Sequence, residues 1–154
     1  MEINNNGKQR DKHVKSESLK ILIGGPFISG ILTYYSYFNM QEWLEFFYAC
    51  IPLFIGIHFL FFVYAPIRML RFHNKTIEKI SIMNDTIQIK TFAPWFMKSI
   101  DINCFLSNVT IKRSEFDRYG KKAKMGYTIK TKDKGEFYFV DDYFPDNTIL
   151  LNHM

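Results

Sequence analysis

The sequence has little cysteine and no pattern of residues that would build a catalytic or metal-binding centre. Its two cysteines, Cys50 and Cys104, are far apart in the chain, and their spacing excludes a metal knuckle or a paired redox motif. A glycine-rich phosphate loop is also missing. The histidines are not spaced with Cys, Asp or Glu as a metal or nucleophile site requires: His13, His58, His73 and His153. We therefore expect a protein that is not an enzyme and has no metal or cofactor.

Charged side chains are nearly missing from two long stretches. Phe46–Ala65 contains no Asp, Glu, Lys or Arg, and Leu19–Phe38 contains only Lys20, close to its start. About 20 residues of helix cross a hydrocarbon core of ~30 Å, and in lipid a backbone can satisfy its polar groups only within such a helix. The two runs therefore predict a membrane hairpin over residues 19–66, with spans 19–38 and 46–65 joined by a short connector.

Basic residues are concentrated at the outer ends of this hairpin. The connector contains Glu42 and Glu45 and no Lys or Arg. The basic flanking residues are Lys8, Arg10, Lys12, Lys15, Lys20, Arg68, Arg71, Lys75 and Lys79. Because basic flanks stay in the cytoplasm, we predict a two-pass protein of the cytoplasmic membrane with both termini inside. A cleaved signal peptide is not expected, since the first apolar run is too long and no small-x-small site follows it.

One ionisable residue, His58, lies within the second span. Such a residue is a functional candidate by default. Counting from the inner ends of the two spans places His58 level with Pro26, which lacks an N–H and leaves the Leu22 carbonyl without its helical donor. Two interpretations are open. In the structural one, His58 donates to that carbonyl or to Ser29; in the functional one, it has a proton-linked or pore role.

The residues outside the hairpin divide into three parts. Residues 1–18 are polar, rich in Asn and without an apolar period, which predicts a flexible basic tail. Residues 67–76 are interpreted as a juxtamembrane linker. From residue 77 onward, apolar and polar residues alternate with the period of a strand.

This alternation predicts a small antiparallel β domain over residues 77–154. Asn84-Asp85 and Gly135 mark tight turns between strands, and Pro145 opens a short C-terminal helix. The predicted strands lie in 77–83, 86–92, 98–104, 108–113, 125–131 and 136–140. Because a small open sheet leaves its edges exposed, we expect the strands to curl into a partial barrel covered by the helix.

Two stretches of this domain resemble bacterial pleckstrin-homology-like (PH-like) proteins. They read SIDINCFLSNVTIKR (99–113) and YTIKTKDKGEFYFV (127–140), with apolar residues at the alternating positions that the family uses. The resemblance implies a PH-like fold on a membrane hairpin, acting as a non-enzymatic anchoring, interaction or scaffold module. The first inter-strand loop departs from the family because it is short and not basic, so an inositol-phosphate grip there is not expected. The alternative is a ligand-triggered membrane effector of the cyclic-nucleotide type, in which a membrane hairpin also carries a small β-barrel.

Two further stretches are candidates for contact with anions or a membrane. In FAPWFMKS (92–99), Trp95 and Phe96 follow Pro94, and they either close the core or present apolar surface to a membrane or partner. The other stretch, IKRSEFDRYGKKAK (111–124), is either a solvated loop or a site for an anion such as a lipid headgroup, a nucleotide or nucleic acid. Its basic residues are Lys112, Arg113, Arg118, Lys121, Lys122 and Lys124.

The partners that the sequence predicts follow from these features. They are the lipid bilayer, anionic lipid headgroups, and a protein that is either unidentified or a second copy of the chain. Sequence-specific binding to nucleic acid is not expected, because no nucleic-acid-binding motif frames the basic stretch.

Overall fold

The structure, a computed structural model, describes residues 1–39, 44–116 and 124–145. In these ranges the helices are α1 (Asn5–Asn39), α2 (Leu44–Phe59) and α3 (Ala65–Asn74), with a π-helical turn, Leu60–Tyr64, between α2 and α3. The chain divides into two compact units, which are described separately. The helical unit is Val14–Leu70, and the sheet unit combines Met1–His13 with Arg71–Met154.

The long helices leave their apolar side chains exposed. Asn5–Asn39 has 35 residues and the helical stretch Leu44–Asn74 has 31, and both are long and apolar enough to cross a membrane. The core helix of a soluble protein would be mostly buried. Here only 6% of the most apolar window of the first helix, and 0% of that of the second, is buried within the protein. The two predicted apolar helices are therefore present, and their surfaces are not covered by the rest of the chain.

The first long helix approaches the π-helical turn closely at Gly25. A Cβ atom added to Gly25 would lie 2.1 Å from Cδ1 of Phe62, so a larger residue cannot be placed there without moving the ring. Small residues allow helices in membranes to approach in this way. The neighbouring Gly24 has no atom within 4 Å of an added Cβ. The two adjacent glycines therefore have very different surroundings.

The N-terminal residues form a capped helix, not the flexible tail that their composition predicts. α1 begins at Asn5, and the side chain of Asn4 caps it by accepting a hydrogen bond from the Gly7 N–H at 3.1 Å. The Asn4 N–H in turn donates to the Tyr143 carbonyl at 2.7 Å, and Nδ2 of Asn4 donates to the Asp142 carbonyl at 3.0 Å. Composition failed here because distant partners, not local apolar residues, fix this segment.

Residues 1–3 also extend the first sheet. The Ile80 N–H donates to the Met1 carbonyl at 3.0 Å, and the Ile3 N–H donates to the Glu78 carbonyl at 3.3 Å. Between these bonds, Glu2 lies opposite Lys79 in an antiparallel bridge. The start of the chain thus covers part of an edge that would otherwise be open to solvent.

The sheet unit contains two antiparallel sheets of three strands each. The strands are β1 (Ile77–Met83), β2 (Thr86–Thr91) and β3 (Asp101–Phe105) in the first sheet, and β4 (Val109–Phe116), β5 (Lys124–Thr131) and β6 (Gly135–Val140) in the second. The antiparallel strands are confirmed close to their predicted positions. So are the turns, since Asn84 has φ +51° and Gly135 has φ +90°.

The two sheets stay open and do not close into a barrel, so of the predicted partial barrel only the antiparallel sheets are present. A 3-10 turn, Leu106–Asn108, leads from β3 to β4. In the described ranges, β3 pairs only with β2 and β4 pairs only with β5, so β3 and β4 do not pair with each other. One isolated bridge, between Thr76 and Tyr138, links the sheets. The inner faces still share one core, which includes the row Ile80, Ile89 and Ile102 of the first sheet and Tyr127 and Phe139 of the second. The predicted C-terminal helix lies outside the described residues.

Candidate functional site

The side chain of Asn74, the last residue of α3, holds the loop between β2 and β3. Its Nδ2 donates to the Phe92 carbonyl at 2.8 Å and to the Lys98 carbonyl at 2.9 Å. These carbonyls lie near the two ends of the loop, so a single amide group fixes both ends. Asn suits this position because its NH₂ group supplies two donors.

Between these two ends, the loop makes a tight turn that exposes two aromatic side chains. The Met97 N–H donates to the Pro94 carbonyl at 3.0 Å, and Trp95 has φ +48°, an uncommon conformation for a bulky residue. The turn leaves Trp95 47% exposed and Phe96 72% exposed. Neither ring is fully buried, and contact with a membrane or a partner stays a prediction.

Basic residues are exposed on both segments that meet at Asn74. They are Arg71 and Lys75 on the helix side and Lys98 on the loop side. Neither 71–76 nor 92–99 contains an acidic residue. These cations and the two aromatic residues of the turn are called the junction surface: Arg71, Lys75, Trp95, Phe96 and Lys98. Its aromatic residues could be singled out from the sequence. Lys98 could not, because the position of its backbone depends on a hydrogen bond from Asn74.

The described residues of the predicted basic stretch have different surroundings. Arg113 lies over the ring of Tyr127, 5.7 Å from its centroid, and donates to its hydroxyl at 3.4 Å. Lys124 pairs with the Asp142 carboxylate at 3.1 Å. Lys112 is exposed on β4. The remaining candidates lie outside the described residues: Arg118, Lys121 and Lys122.

Phe116, at the end of β4, lies beside the end of α3. Phe116 and Lys124 are paired in the register of β4 and β5. The ring of Phe116 lies 6.1 Å from that of Phe72 and 5.6 Å from that of Tyr138, while Phe72 stacks on Tyr138 at 4.5 Å. Since Phe72 and Asn74 belong to the same turn of α3, Phe116 lies near the junction surface.

A buried histidine completes this end of the sheet unit. His73 is only 4% exposed, and its Nε2 lies 2.9 Å from Oδ1 of Asp11. Its ring stacks on Phe92, with the ring centroids 4.4 Å apart. The N-terminal segment, the end of α3 and the start of the Trp95 loop thus meet at His73. Sequence reasoning missed this pair because Asp11 and His73 are 62 positions apart and have no common motif.

The second candidate region lies between the long helices. Pro26, Ser29 and His58 line one cavity of about 350 Å³, whose other walls are mostly apolar. Nδ1 of His58 hydrogen-bonds to the carbonyl of Phe54, four residues earlier in its own helix. This contact takes the place of the predicted donation to Leu22 or Ser29, because the carbonyl one turn earlier is within reach of the ring.

Comparison with known proteins adds no assignment. No family model, curated protein or solved structure matches this chain. Within residues 1–39, 44–116 and 124–145, no group of three or more His, Cys, Asp or Glu side chains is placed to hold a metal ion.

Proposed function

We propose that this chain is a two-pass protein of the cytoplasmic membrane whose small sheet unit, a PH-like domain, is a non-enzymatic interaction module anchored at the membrane surface. The exposure of the two long apolar helices carries this proposal. Removing apolar surface from water is worth about 25 cal/mol per Å², and many apolar side chains of these helices are 37–72% exposed. A bilayer supplies an apolar phase that matches their length.

The place of residues 1–13 supports an even number of membrane crossings. These residues precede the first apolar run, yet they pair with β1 and with His73, which follow the second run. Segments that fold together must lie on the same side of a membrane. The chain between them then crosses twice, and its basic flanks favour the cytoplasm for both ends.

The junction surface supports an orientation of the sheet unit toward lipid. Asn74 follows the second apolar run by nine residues, which corresponds to about 14 Å of helix. Aromatic side chains favour the membrane interface, and each basic residue near anionic lipid contributes about 1 kcal/mol. We infer that the Trp95 turn enters the headgroup layer and that the surrounding cations contact lipid phosphates.

Cysteine labelling in intact cells tests the topology. Single cysteines replace Gln41 in the connector and Asp133 in the sheet unit, in a chain whose two natural cysteines are changed to alanine. A membrane-impermeant maleimide should label position 41 and should reach position 133 only after the cells are permeabilised. Labelling of position 133 in intact cells would refute the orientation.

Fluorescence quenching by brominated lipids tests the docking separately. In a chain with Trp43→Phe, the remaining Trp95 should be quenched by lipids brominated near the headgroup, more strongly in anionic vesicles than in neutral ones. Added salt should reduce that difference, because exposed charges are screened within ~8 Å at physiological ionic strength. As a matched control, a chain with Trp43→Phe, Trp95→Phe and Phe105→Trp should show little quenching. Equal quenching at both positions would remove the docking proposal and leave the two-pass topology intact.

A further inference from the structure

A second cavity lies at the other end of the first sheet, away from Asn74. It has a volume of about 320 Å³ and is bounded by the end of β3 and by the turn between β5 and β6. β2 begins at Thr86, which lines this cavity, and ends at Thr91, one residue before the loop held by Asn74. Five strand steps of about 3.4 Å separate the two ends, or roughly 17 Å. The cavity is therefore distinct from the junction surface.

Four polar side chains from two segments of the chain line this cavity. Lys132 and Lys134 come from the turn, and Asn103 and Asn108 come from the chain around the crossing between the sheets. In the part of the chain that the structure describes, these four side chains make no hydrogen bond and no ion pair. The Asp133 carboxylate, between the two lysines, offsets one of their charges. The group retains a net positive charge and unused amide donors.

An exposed aromatic ring lies beside these cations. Phe105 lines the cavity and is 60% exposed, although burial of its apolar surface would be favourable. Cys104 also lines the cavity, and burial raises the pKa of its thiol above the ordinary value. At neutral pH the thiol is therefore uncharged and does not repel an anion.

We propose that this cavity binds a small phosphorylated compound with a planar ring, of the size of a nucleoside monophosphate. The two lysine ammonium groups hold the phosphate with charge-assisted hydrogen bonds, the two asparagine amides donate to the ligand, and the ring stacks on Phe105. The volume lies at the lower end of the ~300–1,000 Å³ typical of ligand pockets, which matches a mononucleotide. This site goes beyond the anchoring role and does not depend on membrane docking.

Calorimetric titration of the full chain in detergent micelles tests the site. The probes are AMP, GMP, CMP and UMP, with adenosine and inorganic phosphate as partial ligands. At least one nucleotide should bind saturably with a Kd below about 1 mM, and adenosine and phosphate should each bind at least tenfold more weakly. Failure of all four nucleotides to bind, or binding of phosphate as tight as that of the nucleotides, would overturn the proposal.

Variants show whether the binding uses this cavity. Lys132→Gln combined with Lys134→Gln should weaken nucleotide binding at least tenfold, and Phe105→Ala should weaken both nucleotide and adenosine about tenfold. Lys130→Gln is the matched control, because Lys130 pairs with Glu136 at 3.1 Å and does not line the cavity. An equal loss in the control would indicate nonspecific charge attraction, and unchanged binding in the other variants would place the nucleotide elsewhere. Either result refutes the site.

Discussion

Replacing Asn74 with Asp should release the loop that carries Trp95. The two side chains have nearly the same size, but a carboxylate has no N–H to donate to the carbonyls of Phe92 and Lys98. Each such hydrogen bond contributes about 0.5–1.5 kcal/mol, so the loss of two costs about 1–3 kcal/mol. Repulsion between the carboxylate and the carbonyl oxygens acts in the same direction.

This free energy applies to local opening of the loop, because its two ends are what Asn74 holds. Since 1.4 kcal/mol corresponds to a factor of ten, opening should become about 5 to 150 times more frequent. Hydrogen exchange measured by mass spectrometry on the full chain in lipid nanodiscs reports this directly. Amides in 92–100, including that of Met97 in the turn, should exchange faster by about that factor.

The same sample supplies an internal control. Peptides from β5 do not contact Asn74 and should keep the exchange rate of the parent chain. Asn103→Asp is a matched variant with the same change of atoms at an exposed side chain that makes no hydrogen bond. If Asn74→Asp leaves 92–100 unchanged, Asn74 does not hold the loop. If it accelerates β5 equally, the side chain supports the whole sheet unit and the local argument is wrong.

Three further predictions concern packing and the free thiol. Gly25→Val should weaken the packing of the two long helices, measured as a lower midpoint of thermal unfolding in detergent, because its side chain meets the Phe62 ring. Gly24→Val should leave the midpoint unchanged, and equal effects of the two variants would contradict the packing. Ile102→Asp should reduce the free energy of unfolding of the sheet unit in urea by several kcal/mol, because it buries a lone carboxylate. Asn103→Asp should change that free energy by less than about 0.5 kcal/mol, because its side chain is exposed. Equal effects of the two variants would contradict the assigned strand faces. In a chain without Cys50, Cys104 should react with iodoacetamide at pH 7.5 more slowly than a free thiol, because burial raises the pKa of its thiol and lowers the thiolate fraction. A reaction rate at or above that of the free thiol would contradict this.

The positions of the strands could be predicted from the sequence because the signal is local. Ile80 and Ile82, like Ile87 and Ile89, alternate with polar neighbours, and this period fixes which side chains face the core. Asn84 and Gly135 lie where the chain must turn, and both adopt positive φ. Length and apolar content likewise indicated the two long helices.

What could not be predicted depends on contacts between distant residues. Alternation shows which side chains of a strand share a face, but not which strand lies beside it. It therefore could not show that β3 and β4 do not pair with each other. The polar composition of residues 1–13 concealed partners on β1 and at His73. Asn74 has no distinctive sequence context, and its role depends on the positions of two carbonyls at residues 92 and 98.

The pairing of residues 1–3 with β1 has a consequence for the order of synthesis. The edge that these residues cover does not exist until about residue 80 has been made, which is after both apolar runs have been synthesised. At about 5–20 residues per second, the first residues wait roughly 4 to 15 s for their partner strand. If the hairpin crosses the membrane as proposed, a chain with its ends on opposite sides cannot make this pairing, and its β1 edge stays open to aggregation and proteolysis. The sheet unit would then be completed only in chains whose two ends lie on the same side.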